Sequence, residues 1–303
     1  MHDLIVVGGG PAGMTAALYA LRNGKSVLVI EKNGFGGQIT HSPKVENFPG
    51  TYSTSGNALA DSMLDQILQQ GAEIELEHVI HVEPGADGQT VVTEEGNRYQ
   101  AGAVVLATGV KHRMLGLPGE TELVGEGVSF CAVCDGDFYK DRAVCLAGGG
   151  NSALQEAILL SETCSQVTIL QDLPELTGEQ RLQDIVAERR NIRVRTGVRI
   201  TGLDRDDNGL TGVQIQETGS GKTELVPCDG LFEAIGLIPE NQAFADLVPL
   251  NAQGYFDVGE QCETVTPGIY VAGDCRNKSV RQLTTAVADG AVAALAACRY
   301  LNK

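Results

Sequence analysis

The sequence predicts an α/β protein in three layers, built from two nucleotide-binding units with the second inserted into the first. Three observations carry this. A short apolar run, Leu4 to Val7, leads into Gly8-Gly9-Gly10-Pro11-Ala12-Gly13 and then into a helical pattern that reaches Leu21. The same order of strand, triple glycine, helix and strand returns between Ala143 and Leu170, about 140 residues further on. Near the end, Gly268 to Asp274 is another apolar run with an acid at its carboxyl end. Ligands of doubly wound sheets sit at that edge.

In the first unit, Asn23-Gly24 supplies a helix stop, and Ser26 to Ile30 reads as a second buried parallel strand. Gly8, Gly10 and Gly13 let the backbone turn sharply and approach a pyrophosphate at the helix N-terminus, with Pro11 and Ala12 in the same loop. Glu31 stands eighteen residues past Gly13 and can accept hydrogen bonds from a ribose. Glycines, flanking strands, helix and terminal acid together fit a dinucleotide fingerprint better than a bare glycine-rich turn. Val104 to Leu106 is a further apolar strand, running through Ala107 into the Thr108-Gly109 turn. In the second unit Ala143 to Ala147 is the strand, Gly148 to Ala153 the turn, Ala153 to Leu160 the start of the helix, and Val167 to Leu170 the next strand. Thr284 to Tyr300 is an Ala-rich helix that could close the first domain. Gly116-Leu117-Pro118-Gly119 leads out of the first unit and Gly236-Leu237-Ile238-Pro239 leads back. The expected domains are therefore 1–113 with 241–303, and 114–240. The glycine loops make both units Rossmann-like.

Composition narrows the function. With 22 basic and 39 acidic side chains the formal charge is −17, which argues against a general binder of nucleic acid or anionic membrane. Hydrophobic content of 43% and charged content of 20% mark an ordinary globular chain. Glycine is abundant and Trp absent, which suits tight strand–helix turns more than an aromatic stacking platform. The opening residues carry no basic, cleavable leader, and the best apolar stretch, Ala286 to Cys298, is broken by Asp289 and Gly290. A soluble cytoplasmic protein is expected.

Eight cysteines in so long a chain do not make a secreted disulfide scaffold. Cys145, Cys164, Cys228, Cys262, Cys275 and Cys298 are scattered singly, and most read as buried small apolar fillers. Cys131-Ala132-Val133-Cys134 differs. Two cysteines at this spacing can close a small reversible disulfide and lower the pKa of one thiol. The rivals are a zinc half-site, which lacks a second ligand pair, and a pair of structural thiols. Beside nucleotide-binding units, redox exchange is the better reading. Asp135 follows directly and could carry the proton that a forming or departing thiolate needs. Its rival role is that of a turn residue in Asp-Gly.

These residues also resemble a known family. The blocks GGGPAG at 8–13, GGQIT at 36–40, VENFPG at 45–50, LATG at 106–109, LPGE at 117–120, CAVCDGDFY at 131–139, GGGNSA at 148–153, AIGLIP at 234–239 and the run 268–290 are similar, in order and spacing, to the low-molecular-weight thioredoxin reductases. The resemblance covers essentially the whole chain. It implies FAD in the domain formed by both chain ends, held at its adenosine and pyrophosphate by Gly8, Gly10, Pro11, Ala12, Gly13 and Glu31. Gln38, Asn47, Thr108, Gly273, Asp274, Arg281 and Gln282 would line the ribityl chain and flavin ring. Cys134 would face the flavin, Cys131 would attack the substrate disulfide, and Asp135 would be the acid–base residue. The family is dimeric, and its central domain rotates so that the dithiol alternately meets flavin and protein substrate.

One departure changes the expected electron donor. In NADPH-using members the strand after the second fingerprint ends in a His-Arg-Arg run with another Arg four residues on, and these cations clamp the 2′-phosphate. Here the stretch reads Leu170-Gln171-Asp172-Leu173-Pro174-Glu175-Leu176-Thr177, with no cation and two added carboxylates. NADPH is thus disfavoured. NADH survives as a weaker option, since the ribose-binding acid would fall at Gln171, with Asp172 one step late. Reduced ferredoxin ranks first as donor. The net charge opposes docking of an acidic ferredoxin unless a local basic face exists. Candidates are the segment from Glu188 to Arg205, with Arg189, Arg190, Arg193, Arg195, Arg199 and Arg205, and the smaller cluster Lys111, His112 and Arg113. The expected function is an FAD-dependent disulfide oxidoreductase that reduces thioredoxin or a thioredoxin-like protein through Cys131 and Cys134. The alternatives are an NADH-dependent reductase and a non-catalytic flavin-binding redox sensor.

Overall fold

In the computed structural model, which describes residues 1–42, 44–207 and 209–303, the chain divides into two units. One comprises Met1–Lys111 with Ile238–Lys303, the other His112–Leu237. The Gly-Pro breaks in the sequence had suggested divisions at 113 and 241.

The first unit is built on a seven-stranded sheet. Its path runs Glu73–Leu76, Val27–Glu31, His2–Val7, Arg98–Leu106, Gly88–Thr93 and Val79–Gly85, and Ile269–Val271 pairs with the end of Arg98–Leu106. The strands from Glu73–Leu76 across to Ile269–Val271 are parallel, while the hairpin Val79–Gly85 and Gly88–Thr93 is antiparallel. Leu4 to Val7 is buried at every position, which explains why the run is continuously apolar. Leu4 and Val6 face a core shared with helices Pro11–Arg22 and Leu283–Leu301, while Ile5 and Val7 face a second core containing Phe244, Val248 and Phe256.

Those two helices are rich in alanine for a reason. Ala16, Ala17 and Ala20 on one, and Ala293, Ala294 and Ala297 on the other, pack in one core. At Gly290 a Cβ would collide with the backbone carbonyl of Ala12. The Asp-Gly that interrupts the apolar run is therefore a contact point and the helix continues through it. No helix among the described residues is long and apolar enough to cross a membrane.

The second unit has a five-stranded parallel sheet in the order Ile192–Thr196, Gln166–Gln171, Ala143–Ala147, Gly230–Glu233 and Val128–Ser129. One face packs on helix Asn151–Leu160 through Ala153, Leu154 and Ala157. The other packs on an antiparallel meander, Val198–Asp206, Gly209–Glu217 and Thr223–Pro227, through Val198, Val213 and Ile215. No motif in the sequence marks this third layer; the possible strand around Arg193 and Arg195 is Ile192–Thr196, the edge of the parallel sheet.

Candidate active site

The duplication seen in the sequence is repeated bond by bond. In the first unit Gly8 N–H donates to Ile30 O at 2.8 Å and Ala107 N–H to Val7 O at 2.8 Å. In the second, Gly148 N–H donates to Leu170 O at 2.9 Å and Ala234 N–H to Ala147 O at 2.9 Å. Gly8 and Gly148 have φ of +108° and +123°, and a Cβ on either would strike the carbonyl of Ala107 or Ala234. Only glycine fits both turns.

At the end of the second strand the two units part. In the first, Glu31 Oε2 accepts from Gly9 N–H at 2.7 Å and Oε1 from Asn33 N–H at 3.0 Å, which fixes the carboxylate beside the glycine loop. In the second, the same place is taken by Gln171, buried, with its amide lying over Gly149. The following segment closes back on the loop, as it does in the first unit, where Gly36 N–H donates to Gly9 O at 2.9 Å. Thr177 and Gly178 N–H groups both donate to Gly149 O, at 2.8 and 3.0 Å, and Asn151 exchanges hydrogen bonds with Glu179. Between Gln171 and Gln180 there is no Lys, Arg or His.

No side chain caps the helix that begins at Pro11, so its first N–H groups point at the space over Gly10, where a Cβ would meet nothing. At the carboxyl end of Ile269–Val271, the chain turns at Gly273 into Asp274. Asp274 Oδ1 is a buried oxygen with no hydrogen-bond partner, and burial pushes its carboxyl up against the pull of Lys278 and Arg281. Such an oxygen is placed to accept from a hydroxyl-bearing ligand.

The remaining residues expected around a flavin are held in part by one another. Gln38 lies exposed on the short turn Gly37–His41. Asn47 Nδ2 is 3.5 Å from Gln282 Oε1, and Gln282 also caps helix Leu283–Leu301 through a box with Thr285. Arg281 stacks over Tyr255 at 4.1 Å and donates to Asp274 O and Arg276 O, both at 3.2 Å. Thr108 Oγ1 donates to Asn241 Oδ1 at 2.8 Å, and the buried Asn241 amide donates to Gly254 O and Cys275 O. Sequence reasoning missed Asn241. It also missed Arg276, whose guanidinium donates to both oxygens of Asp289 at 2.8 and 2.9 Å. Asp289 in turn accepts from Gly273 N–H at 3.1 Å and Lys278 at 2.9 Å, and so anchors the turn that carries Asp274.

In the second unit Cys131 and Cys134 form a disulfide, Cα atoms 5.3 Å apart, across the short helix Ala132–Asp135. The other six cysteines are free and buried. Asp135 is 9% exposed; its Oδ2 accepts from Ser129 Oγ at 2.6 Å and its Oδ1 is buried without a partner. Burial pushes the carboxyl up, and the Ser129 hydrogen bond opposes this only in part. Glu156, on helix Asn151–Leu160, is pushed up to about 7 by burial, against a counteracting Ala132 backbone N–H. Neither Ser129 nor Glu156 carries a sequence signal of its own, because their roles arise only when separate elements meet. Half of the six arginines in the basic segment are paired: Arg189 with Glu162, Arg195 with Glu217 and Glu224, and Arg205 with Glu122. Among the described residues Arg190, Arg193 and Arg199 have no ion pair, and all three are exposed. Lys111 pairs with Glu240 at 2.8 Å, and His112 stacks on Phe130.

A family profile described as pyridine nucleotide-disulphide oxidoreductase matches residues 2–290. The chain belongs to that family, in its low-molecular-weight thioredoxin reductase branch. It is 39% identical over 303 residues to the thioredoxin reductase of Listeria monocytogenes, covering 100% of this chain and 95% of that one. With the thioredoxin reductase of Bacillus subtilis the identity is 35%, over 100% and 96% of the two chains. The crystal structure of thioredoxin reductase from Streptococcus pyogenes matches with a TM-score of 0.94 at 36% identity, covering 100% of this chain and 98% of that one. The chain is a flavoenzyme oxidoreductase, and membership implies FAD. The first unit suits that cofactor: an uncapped helix start over an open Gly10, a fixed Glu31 carboxylate, and the Asp274 oxygen that accepts no hydrogen bond and has Lys278 Nζ at 3.8 Å beside it.

Proposed function

We propose that this enzyme reduces the disulfide of thioredoxin or a thioredoxin-like protein, and that its electrons come from reduced ferredoxin rather than NADPH. The observation that carries the donor assignment is the second glycine loop. Its fold repeats the first, yet the place of the phosphate-binding cations holds Asp172, Leu173 and Thr177, and the place of the ribose-binding acid holds neutral Gln171. A 2′-phosphate carries a double charge and needs compensation that this segment lacks. The exposed Arg190, Arg193 and Arg199 offer the basic face an acidic donor protein requires. NADH is the second reading, supported by Asp172 one residue beyond Gln171.

In this reading Glu31 holds the adenosine ribose of FAD, the first N–H groups after Gly10 hold its pyrophosphate, and Asp274, with Gln38, Asn47, Thr108, Arg281 and Gln282, orients its ribityl chain and ring. The flavin, when bound, supplies the electron pair that opens the Cys131–Cys134 disulfide. Cys131 then attacks the target disulfide, Cys134 resolves the mixed disulfide, and Asp135 supplies and recovers the proton. Homodimer assembly follows the family resemblance and is checked by light scattering in solution. Cys131→Ser and Cys134→Ser are each expected to abolish thioredoxin reduction while the protein keeps its FAD absorbance. Full activity retained by both variants with an authentic donor would exclude the dithiol mechanism.

A further inference from the structure

The structure assigns to Ser129 the positioning of the proton on Asp135. This rests on Asp135 being the acid for the dithiol. Ser129 ends the edge strand Val128–Ser129 and is 4% exposed. Its hydroxyl is engaged at both ends: Oγ donates to Asp135 Oδ2 at 2.6 Å and accepts from Cys131 N–H at 3.2 Å. One side chain thus ties the carboxyl group to the backbone of the cysteine that meets the substrate. Asp135 and Cys131 are joined again by Asp135 N–H donating to Cys131 O at 3.0 Å.

The two carboxyl oxygens are therefore not equivalent. Oδ2 is committed to a donor, so the proton of the neutral acid belongs on Oδ1, the buried oxygen without a partner. During turnover, the Cys131 thiol gives its proton to Asp135 Oδ1, and the resulting thiolate attacks one sulfur of the target, whose own S–S bond breaks to leave a target thiolate. That thiolate takes the proton from Asp135 Oδ1. When the Cys134 thiol gives its proton to Asp135 and attacks Cys131, the second target thiolate leaves and takes up that proton. Two electrons and two protons pass from the enzyme dithiol to the target, and Asp135 ends as it began. Without Ser129 the proton would be free to sit on either oxygen, and the tie to Cys131 would be lost.

The test uses the purified flavoprotein, reduced with a phosphine and desalted under anaerobic conditions, so no electron donor enters. Two disulfide probes are compared by stopped flow. The alkyl disulfide bis(2-hydroxyethyl) disulfide releases a basic thiolate that needs a proton; the aromatic disulfide 5,5′-dithiobis(2-nitrobenzoate) releases one that does not. Ser129→Ala is expected to slow oxidation by the alkyl probe about tenfold, the scale of one hydrogen bond to an ionisable group, and to leave the aromatic probe unchanged. Ser129→Thr, which keeps the hydroxyl, restores the alkyl rate. Asp135→Asn is expected to lower the alkyl rate about a hundredfold, on the scale of general acid catalysis. An equal loss on both probes in Ser129→Ala, or no loss on either, overturns the assignment. If Asp135→Asn itself spares the alkyl probe, the acid role of Asp135 fails instead, and Ser129 falls with it.

Discussion

Asp289 shows how much a single carboxylate can hold in place. It is 6% exposed and accepts from Arg276, Lys278 and the backbone of Gly273. Burial alone would raise its pKa, but the Arg276 and Lys278 hydrogen bonds outweigh that and hold the carboxyl below its ordinary value. The sign follows: its contribution to stability is present above the unfolded pKa and is lost as pH falls through the folded one, in the acid range. Asp289→Asn leaves the buried Arg276 guanidinium with only the exposed Glu260 carboxylate as counter-charge and is expected to cost about 3 kcal/mol in urea unfolding, with weaker FAD retention. Glu233 has the opposite sign. It is 3% exposed, both of its oxygens lack a conventional donor, and burial followed by its contact with Glu120 pushes it up to about 9. Glu120 accepts from the Leu115 and Leu117 N–H groups, both at 2.7 Å, and Glu233 beside it holds a proton. The stability Glu233 contributes is full below about 4.5 and is lost as pH rises towards 9. Unfolding midpoints of Glu233→Gln, measured at pH 6 and pH 9, are expected to differ less than those of the parent. None of these residues was legible in the sequence. Thr108 and Asn241 bond across 133 positions, and a lone Asn or Glu carries no mark of a partner so distant.

Elements were easier to read than residues, because backbone demands leave a local trace. The glycine loops announced themselves: a left-handed turn against a carbonyl admits only glycine, and the strands and helices around it are buried enough to be apolar throughout. The meander Val198–Pro227 was hidden by its polar outer face: Arg199 stands between buried Val198 and Ile200, and Thr223, Glu224 and Leu225 are all exposed. Two elements yield tests. Gly290→Ala would press a methyl group into the Ala12 carbonyl where the two long helices meet, and is expected to destabilise the protein by about 1–3 kcal/mol in thermal or urea unfolding. The segment after Gln171 is the second. Asp172→Arg combined with Leu173→Arg would place two cations where the sequence has none, and should raise affinity for NADP⁺ at least tenfold, measured by calorimetric titration against the parent. Unchanged affinity would mean that the closing segment 171–179, rather than missing charge, keeps the nucleotide out.

At the scale of the molecule, the chain is one nucleotide-binding plan used twice and then specialised. Both copies keep the turn and an uncapped helix start; the first keeps the acid that a dinucleotide needs, and the second lends its scaffold to a dithiol, a buried acid and a serine that links them. The whole-chain likeness to thioredoxin reductases fixes the branch, and the stretch 170–177, with two carboxylates and no Lys, Arg or His, is what the proposed donor rests on. In the proposed reading an acidic protein donor lands on the exposed Arg190, Arg193 and Arg199, against the repulsion of a net charge of −17. The most direct measurement mixes the oxidised, FAD-loaded protein anaerobically with each donor in a stopped-flow spectrometer. Reduced ferredoxin should bleach the flavin band and, with thioredoxin present, yield free thiols, while NADPH should leave the band intact. Rapid bleaching by micromolar NADPH, with ferredoxin inert, would contradict the account.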